Sequence, residues 1–204
     1  MIDKPIFKLH PWHGVSRGDA CPKLVTAFIE IIPSDTIKYE IDKESGYLKV
    51  DRPQQFSNIV PAMYGFIPKT YCAENVAALN MRVTERANIT GDGDPLDILI
   101  LTQKEITRVD ILVKAYPIGG LRLVDNNEAD DKIIAIMEGD DVYDRWKDIT
   151  DVPESIINRL KHYFLTYKQM PDSNPTCTID EVYGKKEAYD VIEASIEDYK
   201  IHFP

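Results

Sequence analysis

The sequence predicts a mainly β protein with α-helices at its C-terminal end, built as a small barrel or sandwich. Short apolar segments separated by polar turns fill the middle of the chain, as in closely spaced strands. Apolar residues at helical spacing begin only beyond Pro153. No internal repeat and no Pro-rich or Gly/Ser-rich linker divides the chain, so we predict a single domain over residues 1–204.

The first predicted strand covers residues 25–32, VTAFIEII, in which Glu30 is the only charged residue. A β-hairpin follows, because apolar and charged residues alternate over 37–42, KESG forms a turn, and residues 47–52 return. In a strand, residues two apart face the same way. One face of this hairpin therefore carries Lys38, Glu40 and Asp42.

Three more strands are predicted at the apolar runs 96–101, 109–113 and 133–137. Residues 70–90 have weak periodicity, and we predict a long loop insertion there with room for a short helical turn. Two amphipathic helices should then pack on the β core. The first follows Pro153, with Asp151 as its cap. Its apolar side chains are Ile156, Ile157, Leu160, Phe164 and Tyr167, and those of the second are Ala188, Val191, Ile192, Ser195, Ile196 and Tyr199.

Composition and charge narrow the classes of function. The chain is 44% hydrophobic and 28% charged, which is ordinary for a soluble globular protein, and no stretch approaches the roughly 20 apolar residues that span a bilayer. The N-terminus lacks the apolar region of a secretory signal, and three distant cysteines form neither a disulfide framework nor a metal knuckle. We therefore expect a cytoplasmic protein. A net charge of -10 argues against nucleic-acid binding, and reflects either a solvated surface or carboxylates gathered around divalent cations.

The segment ITGDGDPLDILI at 89–100 places Asp92, Asp94 and Asp97 directly before an apolar strand. Two glycines and a proline favour a bent loop that can bring the three carboxylates together, where they disfavour one another's ionisation unless a cation offsets their charge. Such oxygen-rich sites suit Mg²⁺, Mn²⁺ or Ca²⁺. An EF-hand loop is excluded, because its sixth and twelfth positions would hold Asp97 and Gln103. An Asx-type turn explains one aspartate, but for three we favour metal binding.

A second acidic segment, DNNEADDK at 125–132, also precedes an apolar strand. Alone it would be a polar hairpin loop, but two such loops predict a site with several metal ions that could clamp a phosphoryl group and its attacking water. Basic and tyrosine side chains elsewhere suggest a polyanion as ligand: Lys38, Arg52, Lys132, Tyr167 and Lys168.

Two common motifs are excluded. A P-loop is missing from the sequence, which argues against that type of nucleotide site. His10 and His13 lie in HPWH, without the glutamate of HExxH, so we interpret them as packing or surface residues rather than zinc ligands.

The segment DGDPLD with the apolar strand after it resembles the signature of soluble family I inorganic pyrophosphatases. Other segments resemble the family in the same order: EIIP at 30–33, IKYEIDKESG at 37–46, VDR at 50–52, YGFIP at 64–68, PIGGLRLVD at 117–125, DDK at 130–132 and HYFLTYK at 162–168. The resemblance begins near residue 25, which leaves 1–24 as an N-terminal extension. It implies a five-stranded OB-like β-barrel with two flanking C-terminal α-helices, in a single inorganic pyrophosphatase domain.

The resemblance also implies hydrolysis of inorganic pyrophosphate, bound as its magnesium complex, to two phosphates. Several Mg²⁺ ions would take part, with Mn²⁺ or other divalent cations as substitutes. Asp92, Asp97 and Asp130 resemble the tight metal ligands, Asp125 and Glu40 resemble ligands of metals that arrive with substrate, and Glu30 resembles an acid that supports the metal site. Asp94 resembles the residue that takes a proton from the attacking water, and Tyr64 an active-site tyrosine. Lys38, Arg52, Lys132, Tyr167 and Lys168 resemble the phosphate contacts.

The bacterial branch of the family implies a homo-oligomer, specifically a hexamer. The sequence departs from the compact bacterial members at Val60, where many of them have a tyrosine, and in the longer segment 70–90. Two other functions stay open at this point. One is a Mg-dependent phosphohydrolase acting on a nucleotide or other phosphoester, and the other is an OB-type binding module without enzymatic activity.

Overall fold

The structure is a computed structural model that describes residues 8–168 and 176–204, and a β-barrel forms its centre. The strands are β1 (Val25–Ile31), β2 (Ile37–Ile41), β3 (Leu48–Pro53), β4 (Met63–Phe66), β5 (Thr90–Gly91), β6 (Asp97–Leu101), β7 (Ile111–Asp125), β8 (Glu128–Ala129), β9 (Lys132–Met137) and β10 (Cys177–Gly184). The helices are α1 (Glu74–Thr84), α2 (Glu154–Thr166) and α3 (Lys185–His202). In the order β1, β4, β6, β9 and β7, each strand pairs with the next, and β7 pairs again with β1. This closed ring confirms the predicted five-stranded barrel.

Both faces of strands β6 and β9 are covered, which explains their continuous apolar sequences. In β6, Ile98 and Ile100 lie in a buried cluster with side chains from α1 and α3. The alternate residues Leu99 and Leu101 lie in a second cluster with side chains from α2. Val60, at which the sequence departs from the pattern that it resembles, is fully buried in this second cluster and packs there as an apolar core residue.

The predicted hairpin is present as β2 and β3, which form a two-stranded sheet of their own. Their register sets Lys38 opposite Arg52 and Glu40 opposite Lys49. The hairpin is joined to the barrel where the backbone N–H of Ile41 donates to the Glu30 carboxylate at 2.6 Å. The alternation in the sequence therefore places charged side chains of β2 and β3 beside the barrel strand β1.

Both predicted C-terminal helices are present, but the predicted cap of the first is wrong. α2 begins at Glu154, directly after Pro153, and no side-chain hydrogen bond caps it. Asp151 instead ends a short 3-10 helix, Ile149–Asp151, where it forms a capping box with Asp148. Its carboxylate accepts from the backbone of Lys147 and Asp148, so it serves the turn before α2. Among residues 8–168 and 176–204, no helix combines the length and apolar character needed to cross a bilayer.

The segment 70–90, predicted as a loop insertion, contains the 11-residue helix α1. The residue at its N-cap position is Ala73, whose side chain cannot cap the helix, so the sequence lacks the local signal for a helix start. The cap comes from Asp198 of α3. This buried carboxylate accepts from the backbone N–H of Ala73, Asn75 and Val76 at 2.9, 2.9 and 3.1 Å, and from the Asn75 amide at 2.7 Å.

Strand β7 is much longer than the apolar run 109–113 predicts, and it extends to Asp125. Residues 115–121 of this strand pair with β9, and residues 119–125 pair with β10. Pro117 and the following Gly119-Gly120 have the composition of a turn, which hides the continuation from sequence analysis. This long strand carries Asp125 to the edge of the barrel.

Candidate active site

One cavity of about 530 Å³ is lined by every site residue that the sequence predicts. The residues come from β1, β2, β3, β4, β6 and β9, from the loops around β5 and β8, from the end of β7, and from the C-terminal end of α2. They are Glu30, Lys38, Glu40, Arg52, Tyr64, Asp92, Asp94, Asp97, Asp125, Asp130, Lys132, Tyr167 and Lys168. A larger groove of about 1130 Å³ lies between the N-terminal residues, α1 and α3, and none of the predicted site residues lines it.

The aspartate loop, residues 91–97, is bent as the sequence predicts. Gly93 has φ +72°, which favours glycine, and a Cβ at Gly91 would lie 2.2 Å from the carbonyl oxygen of Cys72. The backbone N–H of Asp94 donates to the Asp92 carboxylate at 3.0 Å, which is an Asx-type turn. The Asx turn, which the sequence offers as the alternative to metal binding, is therefore present in this loop, and all three aspartates line the cavity.

Lys132 lies at the centre of the buried part of the cavity. The parallel register of β6 and β9 sets it beside Asp97, and its ammonium forms ion pairs with both Asp97 and Asp130. The Tyr64 hydroxyl donates to Asp97 at 2.5 Å. Burial alone would lower the pKa of Lys132, but the charges of Asp130 and Asp97 outweigh it and raise that pKa well above its ordinary value. Lys132 is therefore charged at neutral pH.

Asp92 and Asp130 are in an unfavourable electrostatic setting. Burial, followed by the charge of Asp130, raises the pKa of Asp92 well above its ordinary value. Burial also raises the pKa of Asp130, and the two carboxyl groups lie within hydrogen-bond reach of each other. In the part of the chain that the structure describes, no three carboxylate, imidazole or thiol groups converge tightly enough to form a ready-made metal cluster. Asp92 and Asp130 are therefore close to each other, and the ammonium of Lys132 offsets part of their negative charge.

The second acidic loop meets the end of α2 across the cavity. The Lys168 ammonium donates to Asp125 at 2.6 Å, and it lies 5.2 Å from the centre of the Tyr167 ring. Burial raises the pKa of Asp125, but the hydrogen bond and charge of Lys168 outweigh this effect and lower it. This side of the cavity therefore pairs a carboxylate with a cation, as the centre does.

The hairpin supplies a third set of paired charges. Lys38 donates to Asp51 at 2.7 Å and to Glu40 at 3.3 Å, and Arg52 donates to the same Asp51 carboxylate at 2.5 Å. Asp51 therefore holds both cations in place. It was not among the predicted site residues, although it lies inside the VDR segment.

Glu30 lies under the hairpin, where it is almost inaccessible to solvent. Burial and the negative charge of Asp97 raise its pKa to about 8, despite the hydrogen bond from Ile41. It therefore carries a proton at neutral pH in the absence of added cations.

Sequence reasoning also missed Lys43. Its side chain lines the cavity, forms an ion pair with Asp94 and donates to the carbonyl oxygen of Gly93 at 3.2 Å. The available signal was its position at the hairpin turn, next to the charged face of β2. His10 and His13 lie outside this cavity and are packing residues, as predicted: the His13 ring packs on Trp12 and Phe203, and the His10 ring lies 4.8 Å from that of His13.

Comparison with known proteins identifies the family. The inorganic pyrophosphatase family model matches residues 27–200. The chain is 50% identical to an inorganic pyrophosphatase of Chlamydia muridarum, over 98% of each chain, and 34% identical to soluble inorganic pyrophosphatase 2 of Chlamydomonas reinhardtii, over 95% of this chain and 90% of the relative. The crystal structure of inorganic pyrophosphatase from Thermus thermophilus superposes with a TM-score of 0.78 at 30% identity, over 93% of this chain and 99% of that chain.

The barrel, the site and these similarities define the class of the protein: it is an enzyme, a hydrolase acting on a phosphoric anhydride. The chain belongs to the inorganic pyrophosphatase family, whose members hydrolyse pyrophosphate.

Proposed function

We propose that this hydrolase converts inorganic pyrophosphate to two phosphates in the cavity of about 530 Å³, using several Mg²⁺ ions and a water activated by them. The observation that carries the proposal is the convergence of carboxylates, cations and tyrosines from separate elements on one cavity. A net-acidic protein can accept this anion because it arrives as its magnesium complex and because Lys and Arg side chains line the site.

The residues of the site fit divalent cations of the Mg²⁺ or Mn²⁺ type. The candidate ligands are all aspartate or glutamate side chains, and their carboxylate oxygens are the donor atoms that such cations prefer. Asp92 and Asp130 are partly buried, lie within hydrogen-bond reach of each other and have raised pKa values, an arrangement that a cation would stabilise. Asp97 lies beside them and is the natural third ligand, with Asp125 and Glu40 as ligands for cations that enter with pyrophosphate and Glu30 as a supporting acid. When bound, the ions would lower the pKa of a water molecule and offset charge on the phosphates.

The side chains of the protein have separate tasks in this proposal. Asp94 accepts the proton of the attacking water, which suits its position on the aspartate loop at the solvent-accessible side of the cavity. Tyr64 holds Asp97 through its hydroxyl group. The phosphate contacts would be Lys38, Arg52, Lys132, Tyr167 and Lys168. The ammonium and guanidinium groups of the four basic residues would exchange their present carboxylate partners for phosphate oxygens.

The role of Asp94 is tested by Asp94→Asn, with Asp144→Asn as the matched control. Both aspartates have half-exposed side chains paired with a lysine, Lys43 and Lys147 respectively, but Asp144 lies outside the cavity. A general base contributes about 10² to 10⁴ in rate. We expect Asp94→Asn to lower kcat by at least about a hundredfold with unchanged thermal unfolding, and Asp144→Asn to retain parental kcat. Near-normal turnover of Asp94→Asn would remove Asp94 from the role of base.

We also propose that the protein acts in the cytoplasm as a homo-oligomer, with a hexamer as the specific assembly. Large apolar side chains exposed on the hairpin and the segment after it support an association surface: Tyr47, Val50, Phe56 and Ile59. Light scattering of the purified protein tests the assembly. A mass of one chain, about 23.3 kDa, at micromolar concentration would contradict it.

A further inference from the structure

The N-terminal segment, residues 8–14, lies outside the region matched by the family model, and its Trp12 packs in a buried cluster with Ile41 of the hairpin and Phe66 of β4. Trp12 is only 3% exposed. Its ring contacts those of Tyr71 and Phe203, and its carbonyl oxygen accepts from the backbone N–H of Lys69 at 2.9 Å. The segment is therefore a fixed part of the fold, and two chains of hydrogen bonds lead from it to the loop.

The first chain runs through Thr70. The indole N–H of Trp12 donates to the carbonyl oxygen of Thr70 at 2.8 Å. The Thr70 side chain is fully buried, and its hydroxyl accepts from the backbone N–H of Leu96 at 2.9 Å while donating to Ile67 at 2.6 Å. Since Leu96 lies between Asp94 and Asp97, this chain fixes the C-terminal half of the loop.

The second chain runs through His10 and Lys43. Backbone N–H groups of Trp12 and His13 donate to Nδ1 of His10 at 3.2 and 3.3 Å, which leaves its hydrogen on Nε2. That Nε2 lies 3.2 Å from the carbonyl oxygen of Lys43. The Lys43 ammonium in turn bonds to Gly93 and Asp94. This chain therefore fixes the side of the loop that carries Asp94.

We infer that the N-terminal segment positions the aspartate loop for catalysis, through Thr70 on the Leu96 side and Lys43 on the Asp94 side. The inference rests on the proposed function, in which Asp94 must lie within hydrogen-bond distance of the attacking water. Displacing a catalytic group by about 1 Å costs up to about a hundredfold in rate. Lys43, Thr70 and Trp12 are positioning residues in this account, since they act on the loop rather than on the substrate.

Lys43 is tested by Lys43→Met and Lys43→Arg, with Lys147→Met as control. Lys147 also forms an exposed pair with an aspartate, Asp144, but away from the cavity. We expect Lys43→Met to lower kcat about tenfold while KM stays within about twofold, because the loop is displaced but the phosphate contacts remain. Lys43→Arg should recover most of the loss, and Lys147→Met should match the parent protein. A merely structural contribution would alter thermal unfolding without this split between kcat and KM.

The buried chain is tested by Thr70→Val, which removes the hydroxyl, against Thr70→Ser, which keeps it. Trp12→Phe tests the N-terminal segment itself, because it removes the indole N–H and retains an aromatic ring. We expect Thr70→Val and Trp12→Phe to lower kcat several-fold or more, and Thr70→Ser to remain close to the parent. If Thr70→Val does not fold, the surface variant Lys43→Met decides the question.

The positioning role would be overturned if the folded Lys43→Met and Trp12→Phe variants kept parental kcat while Asp94→Asn was inactive. That result would leave the proposed function standing. A parent protein that released no phosphate from pyrophosphate would instead overturn both the proposed function and the inference.

Discussion

Glu30 makes the stability of the cation-free protein depend on pH in a predictable direction. Its pKa rises from 4.5 to about 8 on folding, because of burial and the charge of Asp97. Between these values the folded protein holds a proton that the unfolded chain releases, so unfolding is favoured as pH rises. The contribution is fully stabilising below about pH 4.5, and it is lost progressively until about pH 8. The lost free energy of unfolding is about 4 to 5 kcal/mol, at 1.36 kcal/mol per tenfold difference in proton affinity.

Glu30→Gln removes this dependence and keeps an oxygen to accept from the Ile41 N–H. We therefore expect the stability of Glu30→Gln relative to the parent to increase between pH 4.5 and pH 8.5 by about 4 kcal/mol. Urea unfolding at both pH values, with a chelator present, measures the difference, and Glu193→Gln on the exposed side of α3 is the control. Equal losses of stability in the parent and in Glu30→Gln over this range would contradict this expectation, since Glu30 would then ionise in the folded protein as it does in the unfolded chain.

Three further substitutions separate stability from activity. Asp198→Ala removes the carboxylate of α3 that caps α1, and should lower the free energy of unfolding by about 3 kcal/mol in urea titration. Asp190→Ala, on the exposed side of α3, should change it by less than about 0.5 kcal/mol. Arg122→Met leaves the buried Asp131 without its ion-pair partner at 3.0 Å, and should lower the free energy of unfolding by about 3 to 5 kcal/mol. The double variant Arg122→Met with Asp131→Asn should recover part of this loss, and equal losses in both variants would rule out an unpaired charge as the cause. Lys168→Ala should lower kcat/KM for pyrophosphate about tenfold with an unchanged melting temperature, and unchanged kinetics would remove Lys168 from the substrate site.

The elements that sequence analysis predicted correctly are those with a local signal. The alternation over Lys38 and Glu40 is visible in the sequence because the charged face of β2 borders the cavity. The apolar run of β6 is visible because both of its faces are buried. In contrast, the start of α1 depends on Asp198, whose contact with Asn75 spans 123 positions of sequence, and no local pattern reveals such a cap.

The gathering of the predicted site residues in one cavity follows from the strand register, which a sequence does not contain. Asp97 and Lys132 are far apart in the chain but lie side by side because β6 and β9 pair in parallel. The family motifs supplied the identity of these residues without that register. Asp51 and Lys43 were missed because other residues of the same motifs, VDR and IKYEIDKESG, had already been assigned to the site. Only the ion pairs of Asp51 with Lys38 and of Lys43 with Asp94 reveal their contribution.

The most direct test of the central claim is phosphate release by the purified protein, measured with pyrophosphate, ATP and p-nitrophenyl phosphate, each with and without Mg²⁺. We expect rapid release from pyrophosphate with Mg²⁺, little without it, and slow release from ATP and from p-nitrophenyl phosphate under either condition. Failure to hydrolyse pyrophosphate with Mg²⁺ or Mn²⁺, or faster release from ATP than from pyrophosphate, would contradict it.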